Sequence, residues 1–282
     1  MKKRIPPIIN VDELFEIYKI RDIVLVDASG GPNAKSNYDK NHLEGALFVD
    51  LNTQLANIKD DLSDGGRHPL PTLEDFAQTL SELGISKKSQ VVIYDDNNGA
   101  NAAARFWWML RSAGHEKVQV LNGGFQAAEK MGFPLNANPV VAKESNPYKI
   151  ENWNFPLALM QEVENVSQDE NHVVVDVRDH KRYCGEFEPI DLIAGHIPGA
   201  INIPFAENLD NSGLFLSPEN LKNKYQEAFK SIDSDNIIVH CGSGVTACHT
   251  LLAIDYAGLA IPKLYTGSWS EWCRNDKAIG KR

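Results

Sequence analysis

Apolar residues fall into short, nearly continuous runs: Ile23-Val24-Leu25-Val26, Val91-Val92-Ile93-Tyr94, Val118-Gln119-Val120-Leu121, Val173-Val174-Val175 and Ile237-Ile238-Val239. Runs without apolar–polar alternation predict strands buried on both faces. Between them the spacing is helical. Val11, Leu14, Phe15 and Tyr18 share one face, with Asn10 as a cap. Thr72 caps a helix through about Leu83, with Leu73, Phe76, Ala77 and Leu80 on its apolar side. A third helix is predicted from about Ala100 to Ala113 around Phe106-Trp107-Trp108-Met109-Leu110, and a fourth places Val245, Cys248, Leu251, Leu252 and Ala253 together. Gly30-Gly31-Pro32, the run Asp64 to Pro71, and Asn122-Gly123-Gly124-Phe125 read as breaks. Strands alternating with helices predict a mostly parallel sheet with helices on both faces.

The pattern occurs twice. Val24-Leu25-Val26-Asp27 returns as Val173-Val174-Val175-Asp176, and Asn41-His42-Leu43-Glu44-Gly45-Ala46 as Gly195-His196-Ile197-Pro198-Gly199-Ala200. Val91-Val92-Ile93-Tyr94-Asp95 returns as Ile237-Ile238-Val239-His240-Cys241, and the stretch Leu121 to Phe125 as Leu264 to Trp269. Landmarks in one order indicate a duplicated domain. The stretch 138–160, rich in proline and asparagine and without a period, reads as a linker. The expectation is two tandem α/β domains, 1–137 and 161–282, each a central, mostly parallel sheet flanked by helices; 282 residues suit two domains.

The copies differ where chemistry would sit. Cys241 stands at a strand tip, before Gly242-Ser243-Gly244-Val245-Thr246 and a helix start. Backbone N–H groups of such a turn form an anion-binding nest, and the helix adds positive charge. Both favour the thiolate, which is the nucleophile. The plain alternative is a buried structural cysteine beside an ordinary turn. The first copy has Asp95 instead, and a carboxylate is no sulfur nucleophile, so the first domain is expected to be catalytically inactive and to cover the second site.

Charge and cysteine usage narrow the classes. A net charge of −10 opposes a general nucleic-acid surface. Cysteines 184, 241, 248 and 273 show no zinc spacing, so neither metal nor cofactor is expected. The basic Met1 to Pro7 stretch lacks a following apolar run, so no signal peptide is read there, and no run approaches membrane-spanning length. A cytoplasmic protein with reduced thiols is expected.

These landmarks resemble the tandem-domain rhodanese-type sulfurtransferases along essentially the whole chain. Cys241 to Thr246 looks like the active-site loop of the branch that uses 3-mercaptopyruvate, whereas thiosulfate-preferring members carry basic residues where Gly242 and Ser243 stand. Gly195 to Ala200 is similar to the family's turn after its first strand, and Gly267-Ser268-Trp269-Ser270-Glu271-Trp272 to its C-terminal signature. The resemblance implies sulfur transfer through a Cys241 persulfide with release of pyruvate. The implied partners are a small-molecule sulfur donor and an acceptor thiol, either thioredoxin or a low-molecular-weight thiol. The loop residues Gly242, Gly244, Val245 and Thr246 would bind substrate through backbone groups.

Further roles follow from the same resemblance. Ser243 and His68 match a relay that protonates the departing enolate; the alternative is that His68 is a loop residue and Ser243 satisfies backbone groups. The family's relay aspartate falls on Asn52, with Asp50 as a possible substitute. Arg182 matches an arginine that binds the substrate carboxylate. A second arginine is expected after Glu188-Pro189, where Ile190 stands. Asp176, Arg178 and His196 are assigned to bracing, Trp269 and Trp272 to a pocket wall or helix-face core, Cys248 to core. Cys184 is a candidate redox partner and Cys273 is expected to be inert. Three other functions compete. A thiosulfate sulfurtransferase would use the same thiol, and a non-catalytic sulfur carrier or binding module would need only docking. Phosphatases of related fold need an arginine six positions after the cysteine, and Ala247 there opposes phosphate chemistry.

Overall fold

The computed structural model describes residues 5–18 and 23–281. It divides into two compact units, each an α/β structure around a five-stranded parallel sheet. The first unit takes the chain up to Ala56, Pro71–Asn154 and Ser212–Leu214. The second takes Asn57–Leu70, Phe155–Asn211 and the chain from Phe215.

Ten strands form these sheets. In the first unit they are β1 (Ile8–Ile9), β2 (Ile23–Asp27), β3 (Leu47–Phe48), β4 (Gln90–Tyr94) and β5 (Val118–Leu121). In the second they are β6 (Leu157–Ala158), β7 (Val173–Asp176), β8 (Ile201–Asn202), β9 (Ile237–His240) and β10 (Lys263–Tyr265). The first sheet runs β1-β5-β4-β2-β3 and the second β6-β10-β9-β7-β8, so each strand of the second occupies its counterpart's place. Asp27 pairs with Tyr94 in one and Asp176 with His240 in the other. All strand pairs in these two sheets are parallel, which explains the unalternating apolar runs: helices cover both faces. A separate antiparallel pair joins His42–Leu43 to Leu135–Asn136.

The duplication reaches single side chains. His42 stacks on Tyr38, bonds its carbonyl oxygen, and Tyr38 donates its hydroxyl to Ala46 O. His196 does the same with Tyr183, whose hydroxyl donates to Ala200 O. The histidine of each repeat therefore clamps a turn, the bracing role expected of His196.

Helices follow the pattern where it carried an apolar stripe. Val11–Tyr18 and Leu73–Glu82 form, the latter with Thr72 Oγ accepting from Asp75 N–H. Ala102–Ser112 is buried on nearly every side, Arg111 excepted, hence its Phe106 to Leu110 run. Other helices arise without such a stripe having been read, among them Ala34–Lys40, which buries only Ala34 and Tyr38, Gly124–Lys130, which begins inside the predicted break, and Met160–Val166, His180–Cys184 and Pro218–Phe229. Residues 137–156 hold no regular structure, yet they are anchored: Trp153 lies 5.4 Å from the Phe76 ring and 6.1 Å from the Trp108 ring. No described helix is long and apolar enough to cross a membrane.

Candidate active site

The central strand β9 delivers Cys241 at its C-terminal end, where the thiol is buried. Open parallel sheets present their ligand crevice at this end. The residues after it turn back into the helix Thr246–Tyr256, whose N-terminus has no side-chain cap. Its first N–H groups have no intrahelical partner and carry the positive end of the helix dipole beside the thiol. Gly244 makes the turn possible. Its φ is +73°, and a Cβ there would stand 2.6 Å from Thr266 O.

The segment after β10 holds the loop from behind. Cys241 N–H donates to Ser268 Oγ (3.2 Å), whose hydroxyl donates to Tyr265 O (2.8 Å). Trp269 N–H donates to Cys241 O (3.0 Å) and Ser270 N–H to Gly242 O (2.8 Å). Ser268 holds φ +55°, unusual outside glycine, and its two hydroxyl bonds support that conformation. Cys248 donates its S–H to Gly244 O (3.3 Å), so this core cysteine also ties the loop to its helix.

Residues 57–70 bring the next side chains. Gly65 N–H donates to Glu271 Oε1 and Arg67 N–H to Ser270 Oγ, each at 3.0 Å, and Asn275 Nδ2 donates to Ser63 O (2.8 Å). Gly66, at φ +76°, lies so close that a Cβ would stand 2.4 Å from Gly267 O. So anchored, the segment sets His68 Nδ1 2.8 Å from Ser243 Oγ, and the expected pair is formed. Asp50 belongs to the first unit, where its Oδ1 accepts from the Asn52 and Thr53 N–H groups (both 2.9 Å) and closes its own turn.

A cluster of guanidinium groups stands over Gly242. A Cβ on this glycine would be 3.0 Å from Arg67 Nη2, 3.5 Å from Arg182 Nη2 and 3.6 Å from Asp191 Oδ2. Arg182 is thus at the loop. It is not free-standing: it donates from Nε and Nη2 to Glu188 (3.1 and 2.7 Å) and from Nη2 to Asp191 (3.3 Å). Burial works against the Glu188 carboxylate, but Arg182's hydrogen bonds and charge hold its carboxyl below the usual range. Ile190, where the second arginine was expected, is 54% exposed. The second guanidinium comes from Arg67, a residue the sequence reading passed over. Cations absent from the loop sequence are therefore present beside it in space. Asp191 and Arg274 were also missed; the available signal was a single carboxylate within Ile190-Asp191-Leu192-Ile193.

Behind the cluster, Arg178 donates to Asp176 from Nε (3.0 Å) and Nη2 (2.6 Å), to Gly195 O and to Glu188, and lies 4.7 Å over the Trp269 ring. Burial disfavours the Asp176 carboxylate, yet the charges of Arg178 and His240 keep its carboxyl below the usual range. Trp269 and Trp272 pack in one core cluster with Cys273, whose thiol burial pushes up. Cys184 Sγ sits 3.4 Å from His180 Nε2.

The first unit shows what the same loop does with a carboxylate. Asp95 Oδ1 accepts from Asn97 N–H (2.9 Å) and Gly99 N–H (2.8 Å), and Oδ2 from Asn101 N–H (2.9 Å) and Ala103 N–H (3.2 Å). The nest is filled by its own side chain. In the second unit the thiol of Cys241 stands where this carboxylate does, and a neutral glycine and serine follow it.

Comparison with known proteins agrees with this arrangement. The model of the rhodanese-like domain matches residues 10–131 and 159–275. A probable 3-mercaptopyruvate sulfurtransferase of Pseudomonas aeruginosa is 39% identical over 239 residues, 83% of this chain and 82% of that protein. A thiosulfate sulfurtransferase of Rattus norvegicus is 36% identical, over 89% of this chain and 84% of its own. A solved Escherichia coli 3-mercaptopyruvate sulfotransferase superposes with a TM-score of 0.78 at 30% identity, covering 95% of this chain and all of its own.

Proposed function

The chain belongs to the rhodanese-like domain family and is a sulfurtransferase, and from that premise we propose that it moves sulfur from 3-mercaptopyruvate to an acceptor thiol through a persulfide on Cys241. Cys241 thiolate attacks the donor's sulfur. The carbon–sulfur bond breaks, its electron pair goes to the enolate of pyruvate, and the sulfur stays on Cys241 as a persulfide. A proton from the Ser243–His68 pair converts the enolate to pyruvate. An acceptor thiolate, or cyanide in the test tube, then attacks the outer sulfur and releases Cys241 thiolate.

The observation that carries this reading is the 2.8 Å pair of His68 and Ser243, with Ser243 two residues beyond the thiol. The loop N–H groups and helix N-terminus stabilise the thiolate and the departing charge; losing one such donor typically costs ~3 kcal/mol. Arg182 and Arg67 suit a planar carboxylate because guanidinium offers parallel donors. The first unit, with Asp95 in its nest, is a non-catalytic copy. A small thiol or a thioredoxin-class cysteine serves as acceptor, and four free cysteines suit a reducing cytoplasm.

Thiosulfate is the second reading, and the two guanidiniums over Gly242 are what favour it. Turnover of both donors side by side decides the donor: a higher kcat/KM for 3-mercaptopyruvate is expected, and a clear preference for thiosulfate overturns that part. Mass spectrometry of the donor-treated protein tests the chemistry. It should show one added sulfur on Cys241, absent in Cys241→Ser; no modification by either donor sinks the proposal.

A further inference from the structure

Asp191 is a buried carboxylate holding three guanidinium groups. Its side chain has no exposed surface. It accepts from Arg67 Nε (3.0 Å) and Nη2 (3.3 Å), from Arg182 Nη2 (3.3 Å) and from Arg274 Nη1 (3.2 Å). Glu188, itself nearly buried, takes two more bonds from Arg182. These contacts use Nε and Nη2 of both Arg67 and Arg182. Among the described residues their Nη1 groups make no hydrogen bond, so each retains donors for an incoming anion.

The charges do not balance. Arg67, Arg182 and Arg274 face Glu188 and Asp191, three positive groups against two negative ones. Arg178 bonds Glu188 as well as Asp176; counting that pair, four positive groups face three negative ones and the excess is the same. The face over Gly242 therefore carries one net positive charge, which a single carboxylate neutralises. A dianion meets the same cations already half-satisfied by two internal carboxylates. Coulomb attraction scales with the product of charges, so each unit added to the cluster favours a dianion twice as much as a monoanion.

Resting on the sulfurtransferase reading for its substrates, we infer that Asp191 is the residue that positions Arg67 and Arg182 over the active loop and sets their selectivity for monoanionic donors over thiosulfate. It touches no substrate and acts through the two arginines. Its own charge is the selective element: while ionised it subtracts from the attraction a dianion would feel.

Anion binding to the Cys241→Ser protein tests this without turnover, using pyruvate as the monoanion and thiosulfate as the dianion. Adding Asp191→Asn should raise the affinity for thiosulfate relative to pyruvate about tenfold, ~1.4 kcal/mol. Glu188→Gln makes the same charge change from a second position and should shift the ratio in the same direction. It also answers the question should Asp191→Asn fail to fold. An unchanged ratio, or equal loss of both ligands, overturns the inference. In the Cys241-containing protein the shift should appear in KM for thiosulfate rather than in kcat for 3-mercaptopyruvate. Failure of Cys241 to take sulfur from either donor would instead count against the catalytic reading, and the binding ratio would still stand or fall separately.

Discussion

On the proposed mechanism, His68 and Ser243 would separate the two donors at the scale of a single proton. Breaking a carbon–sulfur bond leaves an enolate that must be protonated, whereas breaking the sulfur–sulfur bond of thiosulfate leaves sulfite, which needs no proton. A 2.8 Å His–Ser pair acting as the proposed proton relay would serve only the first reaction. Ser243→Ala and His68→Asn should therefore each lower kcat for 3-mercaptopyruvate by about 10²-fold, as lost general-acid catalysis does. Thiosulfate turnover should change only a few-fold. Pyruvate and sulfite release under steady state make the comparison, and equal losses for both donors would assign the pair to loop structure. This pair and Cys241 were legible in the sequence, because each lies in a motif with a recognisable resemblance. Arg67 was not, although it precedes His68. An arginine in a glycine-rich loop is ordinarily solvated; here the contacts of residues 63–67 with Ser270, Glu271 and Asn275, together with the Asp191 carboxylate that holds the guanidinium, aim it at Gly242.

At the scale of elements, the reactive loop is shaped by the turn that follows β10. Ser268 accepts the Cys241 N–H and donates to Tyr265 O while holding φ +55°. Ser268→Ala leaves a buried N–H without its acceptor, a loss of about 1–3 kcal/mol. Gly244→Ala forces a side chain into the left-handed region and against Thr266 O. It should cost at least as much, and it should disturb activity more because it displaces the N–H groups themselves. Urea midpoints with unchanged slopes check the first point; kcat relative to stability loss checks the second. The strands β1, β3, β6, β8 and β10, of two or three residues, leave no run long enough to read, whereas β2, β4, β5, β7 and β9 were legible because parallel strands buried on both faces must be continuously apolar. The helix Ala34–Lys40 was not, since a seven-residue element that buries only Ala34 and Tyr38 leaves no apolar stripe. Gly124–Lys130 was hidden by glycines at 123 and 124, both at positive φ, which read as a break and in the fold begin a helix.

For the whole molecule, duplication gives two copies of one fold whose buried carboxylates respond to pH in opposite directions. In the first unit burial pushes the Asp95 carboxyl up to about 6, against the N–H groups that pull it down, and burial also raises Asp27. A native value raised above the unfolded one means that the folded unit holds the proton more tightly. The stabilisation is complete below about pH 4 and is lost as pH rises through about 6, amounting to about 3 kcal/mol for Asp95. In the second unit Asp176 is held low, with Arg178 and His240 overcoming burial, so its contribution is present above the ordinary carboxylate value and lost only as pH falls below it. Hydrogen exchange at pH 3, 5 and 7, corrected for intrinsic rates, should separate the units. Amides of β2 and β4 should lose opening free energy between pH 4 and 7, while β7 and β9 keep theirs there and weaken in stronger acid. Asp95→Asn should make the first profile shallower, leaving the part that Asp27 contributes, and should leave the second untouched. Parallel profiles in the two units would mean that the carboxylates at the strand tips do not govern stability, and that the filled nest of the first copy and the arginine-braced tip of the second are energetically alike.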